Sequence, residues 1–131
     1  FRKNGDLWVG TESGLYLYQA SSTRWETWSN GKTDERNSIN EILVTKDSAI
    51  WAARALSVEI RHKNGRIESL EQINGTQLGS VTALAEDTSH SLWIASGVGT
   101  EGAYRYDGTH WEHFGKNEGL GARNVHKIVP D

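Results

Sequence analysis

Three short segments of this chain align with one another, and their spacing restricts the fold more than any other feature. They are Leu7-Trp8-Val9-Gly10-Thr11, Ile50-Trp51-Ala52-Ala53-Arg54 and Leu92-Trp93-Ile94-Ala95-Ser96, with tryptophans 43 and then 42 residues apart. A fixed period of this length marks a chain that stacks one supersecondary unit repeatedly. The rest of each unit recurs in order. An alternating pair follows (Tyr16/Tyr18, Val58/Ile60, Tyr104/Tyr106), then a second one (Trp25/Trp28, Ile67/Leu70, Trp111/Phe114). Each unit closes with a polar loop and an apolar strand ending in aspartate: Ile39–Asp47, Val81–Asp87 and Val125–Asp131.

Each piece is short, rich in β-branched and aromatic residues, and bounded by turn formers such as Asn4-Gly5, Asn30-Gly31, Asn64-Gly65, Asn74-Gly75 and Asp107-Gly108. Asn and Gly accept the positive φ that tight hairpins demand. Four strands per unit at this period predict an all-β fold of β-propeller blades, each a four-stranded antiparallel sheet. The repeats run approximately 1–47, 48–87 and 88–131 within one partial propeller domain spanning 1–131. A blade cannot bury both faces alone, so its Trp, Leu and Ile side chains must pack between neighbouring blades.

Composition narrows the function. Basic and acidic residues, 14 against 17, are interspersed without a Lys/Arg stripe, which argues against nucleic acid as a partner. No apolar run approaches the roughly 18 residues of a membrane span. Absent cysteine excludes disulfides and thiolate metal sites. The opening Phe1-Arg2-Lys3-Asn4-Gly5 suggests a processed or excised piece of a longer chain.

With these motifs in place, the chain resembles the two-component regulator propeller repeats. The resemblance rests on Gly5-Asp6-Leu7-Trp8-Val9-Gly10-Thr11 with Gly14-Leu15-Tyr16-Leu17-Tyr18, on Ala103-Tyr104-Arg105-Tyr106-Asp107-Gly108, and on Asn124-Val125-His126-Lys127-Ile128. Repeat two departs from the pattern, with Ala53-Arg54 for Gly-Thr and Ser57-Val58-Glu59-Ile60 for the Gly-Leu-Tyr stretch. The resemblance implies a periplasmic or otherwise extracytoplasmic sensing module of a bacterial two-component regulator, often linked to saccharides. It transfers no catalytic residue and no cofactor.

Propellers number roughly four to eight blades, so three do not close a ring. The expected solution is a homodimer of six blades, with Val125–Asp131 completing the partner's first blade, or closure by the remainder of a larger parent. A ligand face is expected where the inner strands begin, on the loops Ser29–Ser38, Glu71–Ser80 and Gly115–Asn124. Its polar candidates are Arg36, Asn37, Asn40, Arg54, Thr82, Arg123, Asn124 and His126. An arginine fork suits carboxylate or phosphate, and Asn suits sugar hydroxyls. The ligand so implied is a saccharide or other small molecule, bound without catalysis, and a lectin-like ring or a propeller lyase or hydrolase are the alternatives.

Other motifs read as structural. The repeated tryptophans are expected to pack between blades. Gly97-Val98-Gly99-Thr100-Glu101-Gly102 has dinucleotide-fingerprint spacing, but a strand rather than a helix should follow it. His110 and His113 diverge on a strand and form no metal pair. Asp47, Asp87 and Asp131 are expected to hold the turns after their strands.

Overall fold

The computed structural model describes residues 5–28 and 37–131, and they form three antiparallel blade sheets and a separate two-stranded hairpin, with no helix longer than one 3-10 residue. The first sheet comprises β1 (Leu7–Thr11), β2 (Gly14–Gln19) and β3 (Arg24–Thr27). The second orders β4 (Glu41–Val44), β5 (Ile50–Ala53), β6 (Val58–Arg61) and β7 (Ile67–Leu70). A hairpin of β8 (Gln72–Ile73) and β9 (Thr76–Gln77) leads to the third sheet, β10 (Val81–Glu86), β11 (Leu92–Ser96), β12 (Gly102–Tyr106) and β13 (Trp111–Phe114). This is the partial propeller that the repeat implies. The Leu-Trp segments are β1, β5 and β11, and the inner strands β4 and β10 begin each complete sheet. The third inner segment, from Val125, takes no place in a sheet, although its Val125 N–H reaches the Ser96 carbonyl at 3.5 Å.

Strand alternation gives each sheet two flanks. Trp51, Ala53, Val58 and Ile60 of the second sheet meet Val81, Leu84, Ile94 and Tyr104 of the third in one core, which Ile73 and Leu78 of the connecting hairpin close. The opposite flank of the second sheet, Ile50 and Ala52, packs on Leu15, Trp8 and Trp28 of the first. Trp8, Trp51 and Trp93 thus share one position, each on the flank toward the following blade. Gly10 lets the first two sheets close up, because a Cβ there would lie 2.6 Å from Ile39 Cγ2. The expectation that all position-locked aromatics are buried fails at Trp25. It is 58% exposed on the outermost strand and packs only on Tyr18, ring centroids 5.1 Å apart.

Strand register also corrects the repeat alignment. Tyr16 pairs with Val9, Glu59 with Ala52 and Tyr104 with Ile94, the residues that follow each repeated tryptophan. The counterparts of Tyr16 and Tyr18 are therefore Glu59 and Arg61, one residue beyond the apolar Val58/Ile60 that likeness alone selects.

The turns follow the expected chemistry. Asp47 accepts from Ala49 N–H and the Thr45 hydroxyl, and Asp87 accepts from the N–H groups of Ser89 and Ser91. Asn74 and Gly75 both take positive φ (51° and 79°) in the β8–β9 hairpin.

Candidate functional site

Two groups of polar side chains stand out, one along the inner strands and one buried between the first two sheets. Along the inner strands, Asn40 Nδ2 donates to the Val81 carbonyl at 2.9 Å, and Thr82 Oγ1 donates to the Val125 carbonyl at 2.5 Å. Asn40, just before β4, and Thr82, in β10, each follow the first apolar residue of their inner segment, Ile39 and Val81. Each ties its strand to the start of the next. His126 follows Val125 and so holds the third position of this series, where it is exposed. Asn124 is exposed beside it. Arg123 is exposed too, and its guanidinium lies 3.5 Å from Glu101.

Asn37 and Arg54 belong to the second group. Both are buried, and Arg54 Nη1 donates to the Asn37 carbonyl at 3.0 Å. Arg54 Nη2 pairs with Glu59 at 2.9 Å, and Glu59 pairs in turn with Arg61 Nε at 2.5 Å. Arg61 donates onward to the Trp28 carbonyl and lies over the Trp28 ring, 4.9 Å from its centroid. The chain Arg54–Glu59–Arg61 thus binds the backbone at Trp28 and at Asn37. Arg36 lies outside the described residues, as does most of the Ser29–Ser38 loop.

The candidates therefore divide. Asn40, Thr82, Asn124 and His126 line the inner edge, whereas Asn37 and Arg54 are sequestered in a seam. Glu59 and Arg61 went unnoticed in the sequence. Their signal is the joint departure of repeat two, an arginine for Thr11 together with a Glu/Arg pair for Tyr16 and Tyr18.

The Gly97–Glu101 loop precedes strand β12, so it lacks the helix N-terminus a pyrophosphate needs. It is latched on the β9–β10 connection, where Thr100 Oγ1 accepts from Gly79 N–H and donates to the Gln77 carbonyl at 2.8 Å. At the opposite end of the blades a cavity of about 580 Å³ opens between the second and third sheets. Trp51 and Leu92 wall it, and Lys46, Glu86 and His90 form its rim. Lys46 Nζ lies 2.7 Å from His90 Nε2, and His90 Nδ1 is 3.2 Å from Glu86, so the rim groups satisfy one another.

The perturbed carboxyls lie in turns. The Trp93 indole N–H holds the Asp87 carboxyl below the usual range, with the Ser91 and Ser89 amides adding to it. The Thr45 hydroxyl does the same for Asp47. Burial pushes the Tyr104 phenol up. Among the described residues no group of three His, Cys, Asp or Glu side chains is placed to hold a metal ion.

No family model matches the chain, and no curated protein does. Solved structures do. The chain is similar to the extracellular domains of two proteins from B. thetaiotaomicron, each assigned to a hybrid two component system. One gives a TM-score of 0.74 at 16% identity over 98% of this chain, the other 0.73 at 21% over 97%. This chain spans only 17% and 18% of those domains. A streptogramin B lyase is a further neighbour, with a TM-score of 0.63 at 12% identity over 86% of this chain and 38% of the lyase. Identities this low establish the fold, which is the propeller architecture that the repeat resemblance implied.

Proposed function

We propose that the chain is a non-catalytic recognition segment of an extracytoplasmic sensor propeller. The observation that carries this reading is the contrast within the repeat. The tryptophan of the Leu-Trp strand recurs in every repeat, as Trp8, Trp51 and Trp93, whereas the inner-edge position changes from Asn40 to Thr82 to His126. A constant scaffold bearing different polar groups at one rim suits selective binding, because function resides in side chains grafted on a common fold. The extracellular two-component domains among the neighbours support the same reading and an extracytoplasmic location. Further blades complete the ring, and a second copy of this chain would supply three. In support, Trp93 remains half-exposed on the flank where Trp51 is buried.

A screen of small saccharides and organic acids by calorimetry, on the parent and on Asn40→Ala and His126→Ala, tests the proposal. Saturable binding weakened by either substitution is expected. Turnover of any screened compound that vanishes in His126→Ala would replace this reading with the enzymatic one that the lyase fold allows. A saccharide-binding variant of the proposal is favoured by Trp25, whose exposed ring beside Tyr18 offers a stacking platform. Loss of glycan binding in Trp25→Ala would place the contact on the outer strand. Sedimentation at several concentrations tests the two-chain ring, for which a dimer mass is expected.

A further inference from the structure

The buried chain between the first two sheets holds two guanidiniums, Arg54 and Arg61, on the single carboxylate of Glu59. Their side chains are 7%, 12% and 8% exposed, and among the described residues neither arginine has another carboxylate partner. Among the described residues one positive charge is thus left without a counterion in a poorly solvated place, an arrangement that is costly unless an anion approaches. A cavity of about 290 Å³ adjoins the chain, and Arg61 lines it. Trp28, Ile50 and Ile67 form its apolar walls, while His62 and Lys63 complete its rim. Among the described residues none of its lining groups is a carboxylate, and Glu26 accepts from the Trp28 indole N–H at 3.1 Å. Glu68, the nearest acid on β7, is taken by Arg66 at 2.6 Å and by His62 at 3.3 Å. Lys63 has no ion-pair partner among the described residues. The turn above the cavity is open, since a Cβ on Gly65 would meet nothing within 4 Å.

We infer that this cleft between the first and second blades is a binding site for a small ligand carrying an anionic group on an apolar ring. The anion, a carboxylate, sulfate or phosphate, sits between Arg61 and Lys63 as the missing counterion, and the ring lies against Trp28 and Ile67. The volume corresponds to about ten water molecules, enough for one ring and its charged substituent. The equivalent hairpins are less basic. The β2–β3 turn with its flanks reads Tyr18-Gln19-Ala20-Ser21-Ser22-Thr23-Arg24 and the β12–β13 turn Tyr106-Asp107-Gly108-Thr109-His110, against Arg61-His62-Lys63-Asn64-Gly65-Arg66 here. The site lies at the other end of the blades from the inner-edge candidates and does not rest on their role.

The test follows backbone amides of Lys63 and Gly65 and the Trp28 indole by NMR. Benzoate, its neutral counterpart benzamide, inorganic sulfate and inorganic phosphate are titrated, each against sodium chloride at matched ionic strength. Benzoate is expected to shift these resonances saturably, and benzamide to bind at least about tenfold more weakly, the loss of one charge-assisted contact. Whichever of benzoate, sulfate and phosphate binds tightest identifies the preferred anionic group. Lys63→Gln, an exposed substitution that leaves the buried chain intact, should weaken benzoate about threefold to tenfold. His126→Ala should leave it unchanged, which separates this site from the inner edge. Shifts that follow ionic strength alone, equal binding of benzamide, or undiminished binding to Lys63→Gln would each overturn the inference.

Discussion

The two seams between blades solve the same packing problem with different chemistry. Between the second and third sheets, Tyr104 and Ile94 fill a dry core with Trp51, Val58, Ile60 and Leu84. Between the first and second, Glu59 and Arg61 stand at the positions of Tyr104 and Tyr106, and Arg54 stands at that of Ser96. Among the described residues the apolar cluster of the first seam is smaller, with Leu15, Ile50 and Ala52 buried and Trp8, Trp28, Ile39 and Ile42 partly buried against them. The comparison teaches that a propeller tolerates ions in a seam when they also bind backbone at its edge. It makes the two seams non-interchangeable, since neither flank of the second blade would fit the other's neighbour. In some proteins a buried polar network of this kind fixes register or specificity rather than adding stability.

The sharpest way to break the contrast is to remove the carboxylate that both arginines share. Glu59→Gln leaves two buried guanidiniums unpaired and should cost about 3–5 kcal/mol in urea unfolding. The matching cut in the apolar seam is Ile94→Ala. It deletes a side chain with 0% exposure and should cost about 2–5 kcal/mol. If Glu59→Gln proves nearly neutral while Ile94→Ala does not, the ionic chain is solvated in solution and the seams differ less than their geometry indicates.

Replacing all three ions at once asks the opposite question. The variant Arg54→Met/Glu59→Leu/Arg61→Met converts the first seam to the chemistry of the second. It should be between neutral and about 1–4 kcal/mol more stable, because desolvating the charges no longer opposes folding. A loss as large as that of Glu59→Gln would show that the bonds to the Trp28 and Asn37 carbonyls, rather than charge balance, hold the seam.

How far the sequence disclosed this contrast depends on which positions carry it. The repeat, the strand order and the turns at Asp47, Asp87 and Asn74-Gly75 were all legible. Tryptophan spacing and turn formers are local signals that every blade repeats. The ionic seam was not, because matching Val58/Ile60 to Tyr16/Tyr18 by apolar likeness shifts the register by one residue. On a strand such a slip exchanges the two faces, so Glu59 and Arg61 were assigned to no seam. Trp25 misled differently. Its identity with Trp111 signals a shared position but not burial, which on an outermost strand depends on what lies outside the sheet. Asn40, Thr82 and His126 are legible in the sequence as polar residues near the starts of the repeated inner segments. That Asn40 and Thr82 each spend a hydrogen bond on the next strand requires coordinates.

Those inner-edge bonds, Asn40 across the seam between the second and third sheets and Thr82 from the third sheet to the segment at Val125, offer a finer comparison. Thr82→Val removes the donor to the Val125 carbonyl while keeping the side-chain shape, and should cost about 0.5–1.5 kcal/mol. Asn40→Ala removes the donor to Val81 and should cost a similar amount. Hydrogen exchange at Val125 and at Val81 reads the two separately. Each substitution should accelerate exchange near its own acceptor alone.

The smallest effect belongs to a turn outside either seam, and it serves as the control for both. Asp107 accepts hydrogen bonds from the N–H groups of His110 and Thr109 and from the Thr109 hydroxyl, each at 2.8 Å. These bonds, that from His110 foremost, lower its pKa from 3.8 to about 2. The folded value lies below the unfolded one, so the carboxylate stabilises the β12–β13 turn fully above pH 3.8. That contribution is lost as pH falls through about 2. A carbon-detected titration should therefore show the Asp107 carboxyl protonating with a midpoint near 2. The Thr109 and His110 amides should shift with the same midpoint, and Asp107→Asn should abolish that step. The exposed turn meets the blade flank at Tyr106, whose hydroxyl donates to the Gly108 carbonyl at 2.8 Å, but not at Ile94 or Trp51, so the resonances of those two should not follow the Asp107 midpoint. If they do, acid is opening the blades themselves, and the outer hairpins are coupled to the seams rather than independent of them.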